Sequence, residues 1–303
     1  ALHGPGAPAS SRISRLVATV ARTEWARNQL FAPIGFALCW TPLHAALVER
    51  WRRASGREIR GWLDAAAELE ALSSLAGYAY EHPGDPFPEV LDLDASRTPI
   101  LRGTALRHPL LPAAAPNDVT LGGDGPQVLL VSGSNMSGKS TYLRTVGVNV
   151  VLALAGAPVP AGGLALTPLH AGATLRIQDS LQAGTSRFYA EITRLKELAD
   201  LAERDLPLLF LLDEILHGTN SHDRRIGAEA IVKGLVAKGA IGLVTTHDLA
   251  LTELAQEGGR ILSNAHFEDQ VRDGEIAFDY RLRPGVVAHS NALALMRAVG
   301  LRI

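Results

Sequence analysis

Residues 133–141 read GSNMSGKST, and no other stretch narrows the choice of fold as much. Gly133, Gly138, Lys139 and Ser140 meet the spacing G-x-x-x-x-G-K-[ST], between an apolar run at 127–132 and a helix-patterned run at 141–155. That context matters, because a loop of this kind works at the junction of a strand and a helix. The two glycines let the backbone curl until its N–H groups converge on an anion. The helix that follows adds the partial positive charge of its N-terminus. The predicted role is a cradle for nucleotide phosphates, built from Gly133, Ser134, Asn135, Met136, Ser137, Gly138, Lys139, Ser140 and Thr141. Lys139 is expected at the β- and γ-phosphates and the Ser140 hydroxyl on Mg²⁺. The bland alternative is a glycine turn that happens to precede a helix, and the two correct flanks argue against it.

Such a loop needs a sheet behind it, and the second half of the sequence has the material for one. The runs 127–132, 208–212 and 241–245 are apolar without alternation, the pattern of strands buried on both faces. A fourth strand is expected at 172–177, and helices at 141–155, 186–204 and 224–238. Strands alternating with helices predict an α/β fold with a mostly parallel sheet. Residues 259–282 read as two strands around a hairpin turn at Arg272-Asp273-Gly274, with a closing helix at 290–299.

Residues 12–82 have another texture. Trp62, Leu63, Ala66, Leu69, Leu72 and Leu75 recur at helical spacing. Pro33 and Pro42 are expected to break the first helices, 30–40 to form a buried helical bend, and Ser55-Gly56 to turn. The run EHPGDPFP at 81–88 reads as a linker. The expected organisation is a tail at 1–11, a smaller all-α region at 12–82, a linker at 83–96 and an α/β domain at 97–303.

Composition enters as a set of exclusions. A net charge of −2 provides no bulk basic field for nucleic acid. Cys39, the single cysteine, excludes an internal disulfide and suits a reducing, cytoplasmic setting. Residues 1–11 lack the layout of a signal peptide, and no apolar run is long enough to span a bilayer. Starting at Ala1 without methionine and entering helix almost at once, the sequence reads as a piece of a longer one.

Two further segments carry chemistry. In LLFLLDE at 208–214, an apolar strand delivers Asp213 and Glu214 to the edge where the glycine loop also emerges. Asp213 is expected to hold Mg²⁺ and Glu214 to polarise an attacking water. Alone, an acidic pair after a strand is more often a helix cap; downstream of the loop, those odds reverse. Thr245-Thr246-His247 follows another strand, at the ligand edge of an open parallel sheet. His247 either senses a γ-phosphate or caps the next helix.

Together, GSNMSGKST, LLDEILHGTNSHD and TTH resemble the ATPase domain of MutS-family mismatch-repair proteins. Asn135 and Met136 match an Asn-Met pair in that family's glycine loop. Residues 184–191 (GTSRFYAE) look like its signature loop and helix. Arg107-His108-Pro109 followed by Asn117 looks like its nucleotide-proximal opening segment, and 285–300, with Ser290 and Ala294, like its C-terminal closing element. The resemblance covers roughly residues 97–301.

The resemblance implies a P-loop NTPase of the ABC-ATPase type that binds ATP or ADP with Mg²⁺ and hydrolyses ATP slowly, as a homodimer with composite sites. One subunit supplies the loop and Asp213-Glu214; the partner supplies the signature serine, Ser186, to the γ-phosphate. Asn117 would lie near the nucleotide, His247 at the γ-phosphate, and 218–223 across the dimer interface. Ser186 also suits an N-cap, which is compatible with that role. The expected function is ATP-dependent dimer closure coupled to DNA binding and mismatch repair. The alternatives are a switch acting on a non-mismatch DNA structure or on a protein or membrane partner, and a dimerisation module with negligible turnover, against which Glu214 argues.

The sequence also departs from the family pattern. Ala113-Ala114-Ala115-Pro116 stands where relatives carry an aromatic residue before the asparagine, which predicts loose base selectivity. Leu216-His217-Gly218-Thr219 replaces Gly-Arg-Gly-Thr. The sequence stops at Ile303 without a helix-turn-helix extension, so dimerisation is expected to be weak or nucleotide-dependent. Phe87-Pro88-Glu89 spells the hallmark of a mismatch-reading domain but falls in the proline-rich linker. No such domain, and no Smr-type nuclease domain, is evident.

Overall fold

The structure, a computed structural model, describes residues 7–93, 98–111, 113–134, 136–174, 187–216, 220–247, 252–253, 261–272 and 275–286. The chain forms two compact units, Ala1–Gly77 and Tyr78–Ile303.

The first unit is helical: α1 (Ala9–Thr23), a 3₁₀ turn (Glu24–Arg27), α2 (Ala32–Ala37), α3 (Trp40–Ser55) and α4 (Ile59–Glu81), which runs on across the division. Pro33 and Pro42 open helices rather than interrupt one. Each lies in a first turn, where the missing N–H would have had no helical acceptor. Gly56 follows the end of α3, as the turn expected there requires. Arg12 ties α1 to the α3–α4 junction, reaching Glu58 (2.7 Å) and the Ser55 hydroxyl (2.9 Å) while lying over the Trp62 ring.

The stretch 30–40 does bend, with Cys39 in the left-handed region (φ 49°), but it is not buried. Leu30 and Phe36 are 88% and 89% exposed. The bend uses one face to close an aromatic cluster of Trp25, Phe31 and Trp40, and its other side is left uncovered within the unit.

The second unit is α/β. Its strands are β1 (Glu89–Val90), β2 (Ile100–Leu106), β3 (Asn117–Gly122), β4 (Val128–Ser132), β5 (Gly163–Leu166), β6 (His170–Ala173), β7 (Leu208–Asp213), β8 (Ile241–Thr246), β9 (Leu262–Arg272) and β10 (Glu275–Pro284). Its helices among the described residues, after the end of α4, are α5 (Lys139–Leu154), α6 (Arg187–Leu201) and α7 (Ser221–Ala237). A six-stranded sheet runs in the order β10-β9-β4-β8-β7-β6. All its neighbours are parallel except β9 and β10, whose antiparallel pairing sets Arg272 opposite Glu275 on either side of the expected turn. The expected helix at 290–299 and residues 175–177 of the expected fourth strand lie outside the described residues.

A second sheet, in the order β1-β5-β2-β3, is not what the sequence pattern led us to expect. Its strands hide well. β1 is two residues just after the proline-rich run at 81–88, inside the expected linker, and β2 loses its register between Gly103 and Leu106.

The six-stranded sheet is covered on both sides, and the strand period decides which residue faces which layer. Leu209, Leu211, Ile241 and Leu243 face α5 and the second sheet; Leu208, Phe210, Leu212 and Val244 face α6 and α7. Gly242 is dictated by this packing, since a Cβ there would run into the Phe210 ring. Phe210 is fully buried between these elements. Phe210→Ala is therefore expected to destabilise the unit by about 3–5 kcal/mol, read as a lower urea midpoint.

Candidate functional site

The parallel strands bring the chemistry-bearing segments to one edge. Ser132 at the end of β4 pairs with Thr246 of β8, and Asp213 at the end of β7 pairs with Thr245. β4 lies in the middle of the sheet, flanked by β8 and β9, so the loop that leaves it opens between their ends.

The loop leaving β4 takes shapes that favour glycine: φ is 144° at Gly133 and 106° at Gly138. A Cβ at Gly133 would meet the Ser137 hydroxyl at 2.8 Å and the Phe267 carbonyl oxygen at 2.9 Å. α5 starts at Lys139, and its first turn leaves backbone N–H groups without helical acceptors. The Ser134 and Ser137 hydroxyl oxygens are buried without a partner among the described residues, a costly state unless something polar arrives. Met136 (φ 69°) stands on the rim, largely exposed.

Lys139 is buried, and its Nζ donates to the Gly133 and Ser134 carbonyls (2.8 and 2.9 Å) and lies 3.4 Å from Glu214 Oε1. The same carboxylate oxygen is 3.5 Å from His247 Nδ1. Ser140 Oγ donates to Asp213 Oδ1 (2.9 Å), which also accepts from Thr245 Oγ1 (2.7 Å). The Thr245 hydroxyl in turn accepts from the Glu214 N–H (3.0 Å), so one side chain of β8 fixes both acids. The Asp213 N–H donates to Thr174 Oγ1 (3.2 Å).

Beside this polar edge lies a cavity of about 730 Å³, within the range typical of ligand pockets. Ala113, Ala114, Ala115, Asn117, Met136 and Tyr280 contribute to its walls, and Lys139, Ser140, Thr141 and Glu214 to its polar end. The Asn117 amide is engaged with β10: Nδ2 donates to the Tyr280 carbonyl (2.9 Å), and Oδ1 accepts from the Leu282 N–H (2.7 Å). That tie holds Tyr280 (φ 55°) at the cavity, its ring edge 3.1 Å from where a Gly138 Cβ would stand. Tyr142, also in the wall, donates its hydroxyl to the Asp118 carbonyl (2.8 Å). Burial pushes its pKa well above the usual phenol value, so it stays neutral.

Of the residues singled out in the sequence, Lys139, Ser140, Asp213, Glu214 and His247 are thus brought together. Gly133, Ser134, Met136, Ser137, Gly138, Thr141 and Asn117 surround them. Asn135, Ser186 and 217–219 lie outside the described residues. Tyr280 and Thr174 were missed, and Thr245, placed at the ligand edge in the sequence, was not foreseen as the partner of both acids. Tyr280 sits in a hairpin strand with no motif around it, and the strand-end hydroxyls pointed nowhere until the register was known.

Comparison with known proteins gives the family of the chain. The chain is 35% identical over 257 residues to the DNA mismatch repair protein MSH3 of Phaeosphaeria nodorum, 80% of this chain and 22% of that protein. It is 32% identical over 252 residues to the DNA mismatch repair protein MutS of Chloroflexus aurantiacus, again 80% of this chain and 25% of the relative. The DNA mismatch repair protein MSH6 of Arabidopsis thaliana is 31% identical over 269 residues, 84% of this chain and 20% of that protein. The chain therefore spans about a quarter or less of the length of these relatives. No helix among the described residues is long and apolar enough to cross a membrane. The MutS domain V family model matches residues 129–302, from the strand before the glycine loop almost to the last residue, and the chain belongs to that family.

Proposed function

We propose that the second unit binds and hydrolyses ATP, and that nucleotide-dependent pairing of two such chains drives the DNA-handling work of a MutS-like mismatch-repair protein. The observation that carries this reading is the convergence of Lys139, Ser140, Asp213, Glu214 and His247 at one sheet edge beside a cavity large enough for a nucleotide. The family resemblance, with an ABC-type arrangement of loop and acids, supports it.

The residues fit the ligand. The orphaned Ser134 and Ser137 hydroxyls and the first turn of α5 offer donors to phosphate oxygens. Lys139 exchanges two backbone carbonyls for phosphate, a gain because the new partner is charged. Ser140 and Asp213 are hard oxygen donors already in contact, as ligands of one Mg²⁺ would be. Mg²⁺ commonly takes only one or two protein carboxylates and completes its shell with water and phosphate, and when bound it neutralises charge on the phosphates. Glu214 then orients and polarises the attacking water, and His247, 3.5 Å from the same carboxylate, would meet the γ-phosphate. Ser186 of a second chain would complete the site by donating to the γ-phosphate.

Tyr280 answers the missing aromatic before Asn117. Its ring lines the cavity on the β10 side, where it supplies a flat face for a base. Tyr280→Ala is expected to weaken ATP binding about 5- to 150-fold, the range of one lost aromatic–base stack, and Tyr280→Phe to leave it nearly unchanged. Equal affinity in the Ala variant, by fluorescent-nucleotide titration, removes Tyr280 from the site.

The composite site is tested by mixing. Ser186→Ala and Lys139→Ala chains should each be impaired alone, and should recover part of the turnover when combined. No recovery at any ratio counts against shared sites. Duplexes with and without a mismatch, compared over a salt series, separate mismatch reading from phosphate-driven binding, which is steeply salt-dependent and indifferent to pairing.

A further inference from the structure

We infer that Glu191 is a positioning residue for Glu214, its buried carboxylate holding in place the left-handed turn that carries the acid. The inference rests on the reading of Glu214 as the water-polarising group, and it adds a residue to which that reading gives no role.

The turn after β7 is unusual. Glu214 and Leu216 have φ of 49° and 61°, in the left-handed region that non-glycine residues rarely occupy. Such a shape persists only when its surroundings over-determine it. Contacts from three elements do so here. The Thr245 hydroxyl takes the Glu214 N–H at 3.0 Å, Arg224 Nε donates to the Leu216 carbonyl at 3.2 Å, and Glu191 Oε1 takes the Leu216 N–H at 2.6 Å. The first comes from β8, the second from α7 and the third from α6, so the turn is pinned from three elements at once.

Glu191 is the least expected of the three. It is 5% exposed, on a helix that packs on the sheet through Leu195 and Leu198. An apolar side chain would fill that place without the cost of sequestering a carboxylate. The N–H it accepts accounts for the carboxylate. Removing it leaves a buried N–H unmet and frees Leu216 to leave the left-handed region. Glu214, two residues earlier in the same turn, then loses its aim between Lys139 and His247. α6 starts one residue after Ser186, so the helix that follows the expected signature serine also fixes the acid of its own chain.

The test compares E191M, which keeps the volume and loses the acceptor, with E191Q, which keeps an acceptor oxygen, in the intact chain. E214Q serves as the reference. The expected result is a 10- to 100-fold fall in kcat for E191M, the scale of a displaced catalytic group, with ADP affinity and thermal midpoint close to wild type and near-normal kcat in E191Q. Should E191M not fold, E191D replaces it, because the shorter side chain withdraws the acceptor: a loss of kcat in E191D but not in E191Q supports the inference, and equal activities overturn it. Full kcat in E191M overturns it, and so does a parallel loss of ADP affinity. If E214Q keeps full turnover, the assignment of Glu214 fails and the inference with it. If E214Q is inactive and E191M is not impaired, only the inference fails.

Discussion

Glu214→Gln is expected to lower ATP turnover by about 10²- to 10⁴-fold, the usual contribution of a positioned general base, while ATP affinity stays level or rises. The sign of the second effect follows from the geometry. Glu214 Oε1 is 3.4 Å from Lys139 Nζ, so in the proposed site the carboxylate would compete with phosphate for that cation and repel an entering γ-phosphate. The amide relieves both effects and occupies the same volume. Because the Glu214 backbone, not its side chain, carries the tie to Thr245, the turn should keep its shape in the variant. Phosphate release and fluorescent-nucleotide binding, measured on one preparation, separate the two parameters. Parallel loss of affinity and turnover would mean that Glu214 holds the site together instead of acting on water.

Lys139→Ala is expected to act on both parameters, lowering kcat/KM by about 10²- to 10³-fold, as loss of one preorganised donor to developing charge does. The lysine is buried in its own loop, tied to the Gly133 and Ser134 carbonyls and to Glu214. In the proposed site, its removal takes away the charge that would meet the phosphates and also the clamp that shapes the loop. Folding should survive, since α5 is anchored further along by Leu143, Val146 and Val150 in the core. An unchanged circular dichroism melt alongside lost binding is the expected pair of results. Intact binding would place the phosphates elsewhere.

How much of this was legible beforehand depended on whether a signal was local. The glycine loop, the Asp213-Glu214 pair and His247 could be read because each follows a bare apolar strand, and strand C-terminal ends in a parallel sheet share one edge. The boundaries of α5, β7, α7 and β8 fell within a few residues of expectation for the same reason. The second sheet was not legible: β2 pairs with β5 some sixty residues away, with a register shift that blurs alternation. Nor was the exposure of the bend at 30–40, since composition shows that Leu30 and Phe36 are apolar but not what is available to cover them. Tyr280 and Glu191 illustrate the harder case. Each is placed by a contact between distant segments, Asn117 with β10 and α6 with the turn after β7, and no spacing in the sequence encodes those meetings.

The proposed nucleotide site at residues 133–141 and 213–214 can be read out by titration calorimetry of the 303-residue chain with ATP and Mg²⁺. The expected result is a saturable heat with one nucleotide bound per chain, displaced by ADP and absent in Lys139→Ala. No saturable binding by the wild-type chain, or binding that Lys139→Ala leaves untouched, would contradict it.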